Sequence, residues 1–484
     1  MYLVFVPIYI HFMGIEAYGL VGFFATLLSV FALLDMGLSS TLNRELARLT
    51  SDNGSEQQMG NLVRTLALIY WAVAVFIVII VVALSAYISQ QWVKAENLSP
   101  ATVQQAVILM GIAIGLQWPV GFYSGGLMGL QRQVLLNVIN AAIASLRGIG
   151  AILILWLISP TIQAFFIWQL IISGLQTLLL GVALWRSIPK SKEKAIFQLS
   201  VLKGVWRFAA GMLGISILAT LLTQTDKIIL SRMLSLEMFG YYSLSGMVAM
   251  SLYRLIGPIF TGVYPRLTQL VAVNDQASLR TLYHYSCQMM SVMILPAAIV
   301  LAFFSKSVML VWTQNPVTAD QTYMLVSLLV AGTALNGLMS LPYALQLAHG
   351  WTKLSFYVNL VSVLVLVPLI FFMTKHFGAI GAALVWVMLN TGYVLVDIQL
   401  MHRRLLRDEK FSWYCQDVGL PLICAILIAG VGRFLMPDSI SQPVMAIYIT
   451  VVSILTLGIT AWVTPATRGW MLQRFYKKEV NCDA

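Results

Sequence analysis

The chain has 484 residues, of which 60% are hydrophobic and 10% are charged. Soluble domains contain about 45–50% hydrophobic and about 25% charged residues, so this chain has too few charges to cover a water-exposed surface of its size. With a mean hydropathy of +0.86, the composition argues against a soluble enzyme and predicts a membrane protein with many spans.

Apolar runs long enough for a transmembrane helix, about 20 residues, are found along the whole chain. They are continuous and lack the strict alternation of a transmembrane β-barrel. An additional run at residues 2–13 is too short to span. The predicted fold is therefore an all-α polytopic membrane protein with thirteen full spans, at 17–41, 62–89, 102–126, 134–157, 162–185, 204–224, 239–263, 282–310, 321–347, 354–373, 378–401, 415–434 and 443–463.

Lysine and arginine are distributed unequally between the two sides of this arrangement. With the N-terminus inside, 21 of the 29 basic residues fall in inner loops and the C-terminal tail, five in outer loops and three within spans. Positive charge marks cytoplasmic loops, so both termini are predicted to be cytoplasmic. The net charge of +11 is then a topology signal and does not indicate nucleic-acid binding.

The two halves of the chain resemble each other. Residues pair at a nearly constant shift of 216–221, for example Glu16 with Glu237, Arg64 with Arg280, Trp92 with Trp312, Asn140 with Asn359 and Trp168 with Trp386. Such a shift predicts two six-helix repeats of the same orientation. The predicted organisation is an N-terminal lobe at 1–186 with a shortened first helix, a basic cytoplasmic linker at 187–203, a C-terminal lobe at 204–404, and two extra helices with a basic tail at 405–484.

The repeat also bears on the start of the chain. The helix at 204–224, moved back by 221 residues, would begin before residue 1, so roughly its first seventeen residues lack a counterpart. One interpretation is that the natural first helix begins upstream and that Met1 is an internal start or a truncation. The other is that residues 2–13 form a genuine half-helix buried by its neighbours.

Proline and glycine interrupt the fourth helix of both halves. The first half carries Pro119 and Gly125, and the second carries Pro342 within about one turn of the equivalent position. Proline removes a backbone hydrogen bond and bends a helix, and matched breaks in two repeats indicate a transport site. We expect Pro119, Gly125 and Pro342 to form helix bends that serve gating. The alternative is that both residue types are simply frequent in membrane helices.

Arg147 and Arg254 lie near the middle of predicted spans. Ionisable residues at that depth are costly and face a bundle interior or water, and a planar guanidinium suits phosphate. We therefore predict a substrate-binding role in an anion-binding cavity. The alternative is a structural ion pair, for which Asp35 is a candidate partner. Asp226 and Asp397 are further candidates for ion coupling or a structural pair, although both are predicted to lie close to water.

No motif indicates catalysis, nucleotide binding or a metal site. The sequence lacks a P-loop and a zinc-protease motif, and its four cysteines form no C-x-x-C pair. The outer loops are too short for a catalytic domain. We therefore predict no enzymatic activity, no cofactor and no metal, and we assign no role to the five scattered histidines. Residues 42–60 are predicted to form an amphipathic helix on the inner membrane surface.

Several short segments carry a resemblance to a known family. They are GIEAYGL at 14–20, LDMGL at 34–38, NRELA at 43–47, DKI at 226–228 and FGYY at 239–242. With its 6+6+2 helices, the chain resembles the polysaccharide branch of the multidrug/oligosaccharidyl-lipid/polysaccharide exporter superfamily. Within that branch it is similar to Wzx-type O-unit flippases over about 1–404.

The resemblance implies fourteen transmembrane helices and a flippase in the bacterial inner membrane. Such a protein moves undecaprenyl-diphosphate-linked oligosaccharide from the inner to the outer leaflet by alternating access, coupled to an ion gradient. Its implied partners are that lipid-linked substrate, the bilayer, and a polysaccharide polymerase with its chain-length machinery, without nucleic acid. The placement of Arg147 and Arg254 in the cavity comes from their helix positions and not from a family motif.

Four alternatives remain open. A drug antiporter of the multidrug and toxin extrusion (MATE) type shares the two halves but usually has twelve helices and an acidic site. A lipid II flippase shares the fourteen helices and a cationic cavity. A membrane polymerase or glycosyltransferase would be expected to have a large outer loop, which this chain lacks. A scaffolding protein would not need matched helix breaks.

Overall fold

The computed structural model describes residues 2–50, 54–189, 191, 193–198, 217–218, 220–437 and 440–469. In these ranges eleven helices are long and apolar enough to cross a membrane, and no β-strand is formed. The predicted all-α polytopic fold is therefore confirmed. Most of the predicted span at 204–224, much of the basic linker and the C-terminal tail lie outside the described residues.

The chain divides into two compact units, Met1–Gly240 and Tyr241–Ala484. The finer division predicted at 187–203 and 405 stays a prediction. The helices of the first unit are α1 (Tyr2–Phe31), α2 (Leu38–Leu49), α3 (Glu56–Tyr87), α4 (Pro100–Gln117), α5 (Val120–Gly129), α6 (Gln133–Leu157), α7 (Ile162–Ser187) and α8 (220–233).

Helix α9 (Leu236–Met250) carries the boundary between the units. Two π-helical segments, Tyr393–Asp397 and Trp413–Gly419, interrupt the later spans. The helices of the second unit are α10 (Tyr253–Ala272), α11 (Gln276–Phe303), α12 (Ser305–Thr313), α13 (Pro316–Leu338), α14 (Ser340–Ala348), α15 (Thr352–Gly392), α16 (Ile398–His402), α17 (Lys410–Ser412), α18 (Leu420–Phe434) and α19 (Gln442–Val463).

Two glycines divide long helices into shorter ones. Gly14 in α1 has φ 82° and ψ 164°, and Gly378 in α15 has φ 57° and ψ −140°. Glycine adopts such positive φ values without the steric cost that a Cβ brings. The first break separates the apolar run 2–13 from the following span, and the second separates the spans predicted at 354–373 and 378–401. This division is consistent with the fourteen predicted helices.

The predicted helix at 17–41 is wrong beyond Phe31. A single 3₁₀ turn, Ala32–Asp35, follows α1, and then Met36 and Gly37 both adopt left-handed backbone conformations. The left-handed pair ends the first helix and starts α2 in a new direction. Asp35 therefore lies at the end of the span and not within a regular helix.

Helix α2 also corrects the prediction of one surface helix over 42–60. It ends at Leu49, and α3 begins at Glu56. Leu42 and Leu46 on its apolar face are fully buried in a core cluster with side chains of α3, α5 and α7. The amphipathic pattern is real, but protein rather than the membrane surface covers the apolar side.

The two fourth helices break at equivalent places. Helix α4 ends at Gln117 and α5 begins after Pro119, while α13 ends at Leu338 and α14 begins after Met339. The breaks are about one repeat shift apart. Pro342 lies in the first turn of α14, where proline is tolerated because its missing N–H has no intrahelical partner. The bends at both positions are real, and their gating role stays a prediction.

Gly125 allows α5 to approach α2. A Cβ built at Gly125 would lie 2.5 Å from the backbone oxygen of Ser39, and one at Gly129 would lie 2.5 Å from that of Asn43. These two glycines, one helical turn apart, give α5 a side-chain-free stripe against α2. A residue predicted to bend the helix thus has a packing role in the structure.

We predict that Gly125→Ala destabilises the first unit. The added methyl would overlap a backbone oxygen that cannot rotate away, and overpacking of this kind costs about 1–3 kcal/mol. Thermal unfolding of the purified full chain in detergent should show a lower midpoint. Gly458→Ala is the matched control, because a Cβ at this glycine of α19 meets nothing within 4 Å. Equal midpoints for the two variants would contradict this packing role.

Candidate functional site

Arg147 is the centre of a polar network in the first unit. The side chain is buried in the middle of α6. Its Nη1 donates to Oε1 of Gln117 at 3.3 Å and of Gln169 at 3.1 Å, and its Nη2 donates to Oε1 of Gln176 at 2.9 Å. The indole of Trp168 donates to the Arg147 backbone oxygen at 3.2 Å. Helices α4, α6 and α7 therefore meet at this guanidinium.

Further polar side chains extend the network. Ser173 donates to Oε1 of Gln117 at 3.3 Å, and Gln176 donates to Asn140 at 3.2 Å. Gln169, Ser173 and Gln176 follow one another at helical spacing and so share one face of α7. These partners were not among the predicted site residues, although three polar residues on one face of an apolar span are a usable signal.

The three glutamine oxygens that accept from Arg147 are neutral acceptors. Amide oxygens accept hydrogen bonds from Arg147 but do not cancel the charge of its guanidinium, which is never lost at physiological pH. The side chain is only 6% exposed, so any anion would have to reach it through the glutamines. These contacts hold the arginine in place with amides, and none of the three goes to Asp35, the candidate partner in the alternative of a structural ion pair. The substrate-binding role of Arg147 stays a prediction.

Asp35 instead binds two hydroxyl groups. Ser39 in α2 and Tyr70 in α3 both donate to its Oδ1, and the two hydroxyl oxygens are 3.1 Å apart. The Tyr70 ring is buried and packs against Trp118 and Phe122, with centroids 4.5 and 4.6 Å away. The carboxylate thus joins the end of α1 to α2 and α3.

Arg254 has a different environment from Arg147. It lies in the first turn of α10 and is exposed. Among the described residues, no hydrogen bond or ion pair of its side chain is observed. Both arginines were predicted to lie near the middle of a span. The structure buries Arg147 and exposes Arg254. Arg254 follows a helix break at Ser251–Leu252, whereas Arg147 lies within a continuous helix.

The two remaining aspartates are also placed differently. Asp226 in α8 lies 3.3 Å from the Nζ of Lys227, which also donates to the backbone oxygen of Thr223. Asp397 was predicted to lie close to water, but it is only 8% exposed. Both of its oxygens lie 3.3 Å from Nε2 of Gln346, so this carboxylate belongs to the interior of the second unit.

Asp397 lines a cavity of about 190 Å³. Tyr393 donates to Asn359 at 3.2 Å, and Ser355 donates to Gln346 at 2.8 Å. The π-helical turn at 393–397 directs residues of this segment differently from an α-helix, and such turns are frequent at functional sites. The polar residues that line the cavity are Asn336, Ser340, Tyr343, Ser355, Asn359, Tyr393 and Asp397.

Metal binding has no support in the described part of the chain. No group of three or more histidine, cysteine or acidic side chains there is arranged to hold an ion.

The fold is that of membrane transporters. The chain is similar to the lipid II flippase MurJ in an inward closed conformation, with 14% identity, a TM-score of 0.70, and coverage of 95% of this chain and 96% of that one. It is also similar to an inward-facing multidrug resistance MATE family transporter of the MOP superfamily, with 14% identity, a TM-score of 0.67, and coverage of 83% and 93%. These similarities define a polytopic membrane protein with a MOP-type transporter fold.

Sequence comparison identifies the family. Residues 1–271, more than half of the chain, match the family described as polysaccharide biosynthesis protein. A putative O-antigen transporter of Shigella flexneri is 22% identical over 375 residues, which cover 77% of this chain and 87% of that protein. The chain belongs to the polysaccharide biosynthesis protein family, which confirms the predicted family resemblance, and it has a fold of the MOP transporter type.

We predict that Gln169→Leu destabilises the first unit, because it leaves a buried guanidinium donor without its 3.1 Å acceptor. An unsatisfied buried donor costs about 1–3 kcal/mol, whereas replacing both partners with apolar groups costs less. The double variant with Arg147→Met should therefore be less destabilised than the sum of the two single variants. The measurement is the fraction of folded protein that survives heating in detergent. Strict additivity would contradict the network.

Proposed function

We propose that this protein is a flippase for a lipid-linked oligosaccharide. Its substrate would be an undecaprenyl-diphosphate-linked repeat unit of O-antigen or another surface polysaccharide, moved from the inner to the outer leaflet. The observation that carries the proposal is the match of residues 1–271 to the polysaccharide biosynthesis family. The similarity to a putative O-antigen transporter and the flippase-type fold support it.

Physical chemistry explains why such a substrate needs a protein. Transfer of an ion from water to hydrocarbon has an idealised Born cost of order 20 kcal/mol. A diphosphate carries more than one charge, so its cost is higher. We propose that Arg254 and Arg147 lower this cost with fixed positive charge. Arg254 contacts the diphosphate directly, because it is exposed. Arg147 acts through its glutamines and contributes mainly long-range potential.

The remaining steps of the proposal concern topology and coupling. The bias of basic residues supports cytoplasmic termini, and the family and the putative O-antigen transporter support insertion in the bacterial inner membrane. Alternating access would use the breaks between α4 and α5 and between α13 and α14 as bends. Asp35, Asp226 and Asp397 are the candidates for ion coupling, and Asp397 has the most buried setting. A polymerase and its chain-length machinery would receive the exported unit.

We expect deletion of the gene to remove the surface polysaccharide and to cause accumulation of the prenyl-diphosphate-linked unit. Both pools should be measured in one strain that lacks a second flippase, with a plasmid copy as the control. Loss of both polymer and lipid-linked unit would place the defect before translocation. An unchanged surface with altered drug sensitivity would favour a drug antiporter.

We predict that Arg254→Ala lowers export while the protein still folds. The loss of a charge-assisted hydrogen bond of about 1.5–3 kcal/mol corresponds to about tenfold or more in rate. Its exposed side chain makes a folding defect unexpected. Arg266→Ala is the matched control, because Arg266 is an exposed arginine further along the same helix. Arg254→Lys should restore part of the export. Export by Arg254→Ala equal to that of Arg266→Ala would refute the assignment.

A further inference from the structure

His284 connects two acidic side chains in the second unit. It lies in α11, near residues that come much later in the chain. Its Nδ1 is 2.5 Å from Oδ2 of Asp417, in the π-helical segment before α18, and its Nε2 is 3.1 Å from Oε2 of Glu409, in the turn before α17. No role was predicted for the histidines, and the structure gives this one two carboxylate partners.

Each carboxylate has a second partner. Gln288, one turn after His284, donates to Oδ1 of Asp417 at 2.9 Å, and Arg280, one turn before, lies 2.9 Å from Oε1 of Glu409. The Gln288 amide oxygen in turn accepts from the backbone N–H of Ala466 at 2.9 Å. One face of α11 therefore supplies an arginine, a histidine and a glutamine to the segment 407–419.

The geometry requires a proton count. A hydrogen bond needs one hydrogen between its two heavy atoms, and ionised carboxylates only accept. Both ring nitrogens of His284 face a carboxylate oxygen, so two hydrogens are needed. A neutral imidazole has one N–H. A neutral histidine between two ionised carboxylates therefore has one proton too few to form both contacts.

Charge balance places that proton on the imidazole. Carboxylic acids ionise at about pH 4 and imidazolium at about pH 6.5 in the absence of perturbation. Gln288 and Arg280 donate to the carboxylates and so favour their ionised forms. With His284 as a cation, the two acids balance Arg280 and His284. Without that proton, the one N–H of neutral His284 can point at only one of the two acids, and the other carboxylate faces a lone pair. Removal of one partner from an ion pair is strongly unfavourable when the pair is buried, as it is at Asp417.

Other titratable groups lie around this cluster, but the contacts described for them do not bridge Asp417 and Glu409 as His284 does. Tyr283 and Cys287 flank it on α11, and the Tyr283 ring contacts His402 of α16 with centroids 6.1 Å apart. The Nδ1 of His402 faces the backbone oxygen of Ile398. Tyr414, in the same segment as Asp417, donates to a backbone oxygen, and Lys410 donates to Gln399 at 2.7 Å.

We propose that His284 is a proton-binding site, and that the proton bound between Asp417 and Glu409 holds the segment 407–419 against α11. Release of the proton removes one hydrogen bond and leaves a repulsive contact, so the segment separates from α11. This site would give the export cycle a proton-dependent step, and that last statement rests on the proposed function. The proton site itself does not depend on what the protein transports.

The first experiment measures the protonation state of His284. The full chain, with ¹⁵N-labelled histidine, is reconstituted in phospholipid vesicles at pH 7.5, where an ordinary imidazole is mostly neutral. Only five histidines contribute. We expect an imidazolium signal that is absent from His284→Gln and becomes neutral in Asp417→Asn. His376→Gln is the matched control, because His376 is exposed on α15. A neutral signal for His284 at this pH would overturn the proposal.

The second experiment measures the opening itself. Cys287 is buried next to the cluster, so its alkylation by a maleimide reports separation of the segment. Cys415, Cys424 and Cys482 are replaced by serine. The labelling rate is divided by that of the same protein with His284→Gln, which removes the effect of pH on the thiol itself.

At pH 6 we expect the protein with His284 to be labelled about an order of magnitude more slowly than the His284→Gln variant, because local opening controls access to a buried group. As the pH rises, the ratio of the two labelling rates should approach one. A ratio near one at every pH would overturn the proposed opening. If His284→Gln does not give a monodisperse protein, Asp417→Asn serves as the reference. Neither readout uses export, so failure of this proposal and failure of the proposed function are distinguishable.

Discussion

The absence of water from the bilayer core is the constraint on which the rest of this structure depends. A polar group in a span must find its partner within the protein, because an unsatisfied group in hydrocarbon costs several kcal/mol. Arg147 finds three glutamines, Asp35 two hydroxyls, and Asp417 an amide and an imidazole. Each such group therefore ties several helices together, and the polar clusters fix the packing of an otherwise apolar bundle.

Much of the fold follows from the sequence because hydrophobic length is a strong local signal. The breaks at Gly14 and Gly378 fall where the sequence already separated two apolar runs, and the bend at Pro119 follows from the backbone preference of proline. The end of the first long helix was missed, since Met36 adopts a left-handed conformation that methionine does not signal. Periodicity revealed the amphipathic α2, but it does not say whether protein or lipid covers the apolar face.

The candidate sites were less predictable because their members are far apart along the chain. Arg147 stood out as a charge in a span, whereas its partners Gln117 and Gln176 are uncharged and lie about thirty residues away. His284 and Asp417 are separated by 133 residues, so no local pattern connects them. The depth of a residue in a span predicted that it needs a partner. Only the packing of helices identifies which partner it finds.

The tight turn at Gly378 limits which insertions and deletions this part of the chain can accept. This glycine joins two long helices with almost no intervening loop, and a Cβ at Gly381 would clash with the backbone oxygen of Met373. The connection has no slack to absorb an added residue. The second helix buries Ala382, Ala383 and Asn390 on one side, and each residue inserted into a helix rotates all later side chains by about 100°. The helical hairpin therefore tolerates substitutions along its lipid-facing side, but it does not tolerate insertions or deletions at the turn.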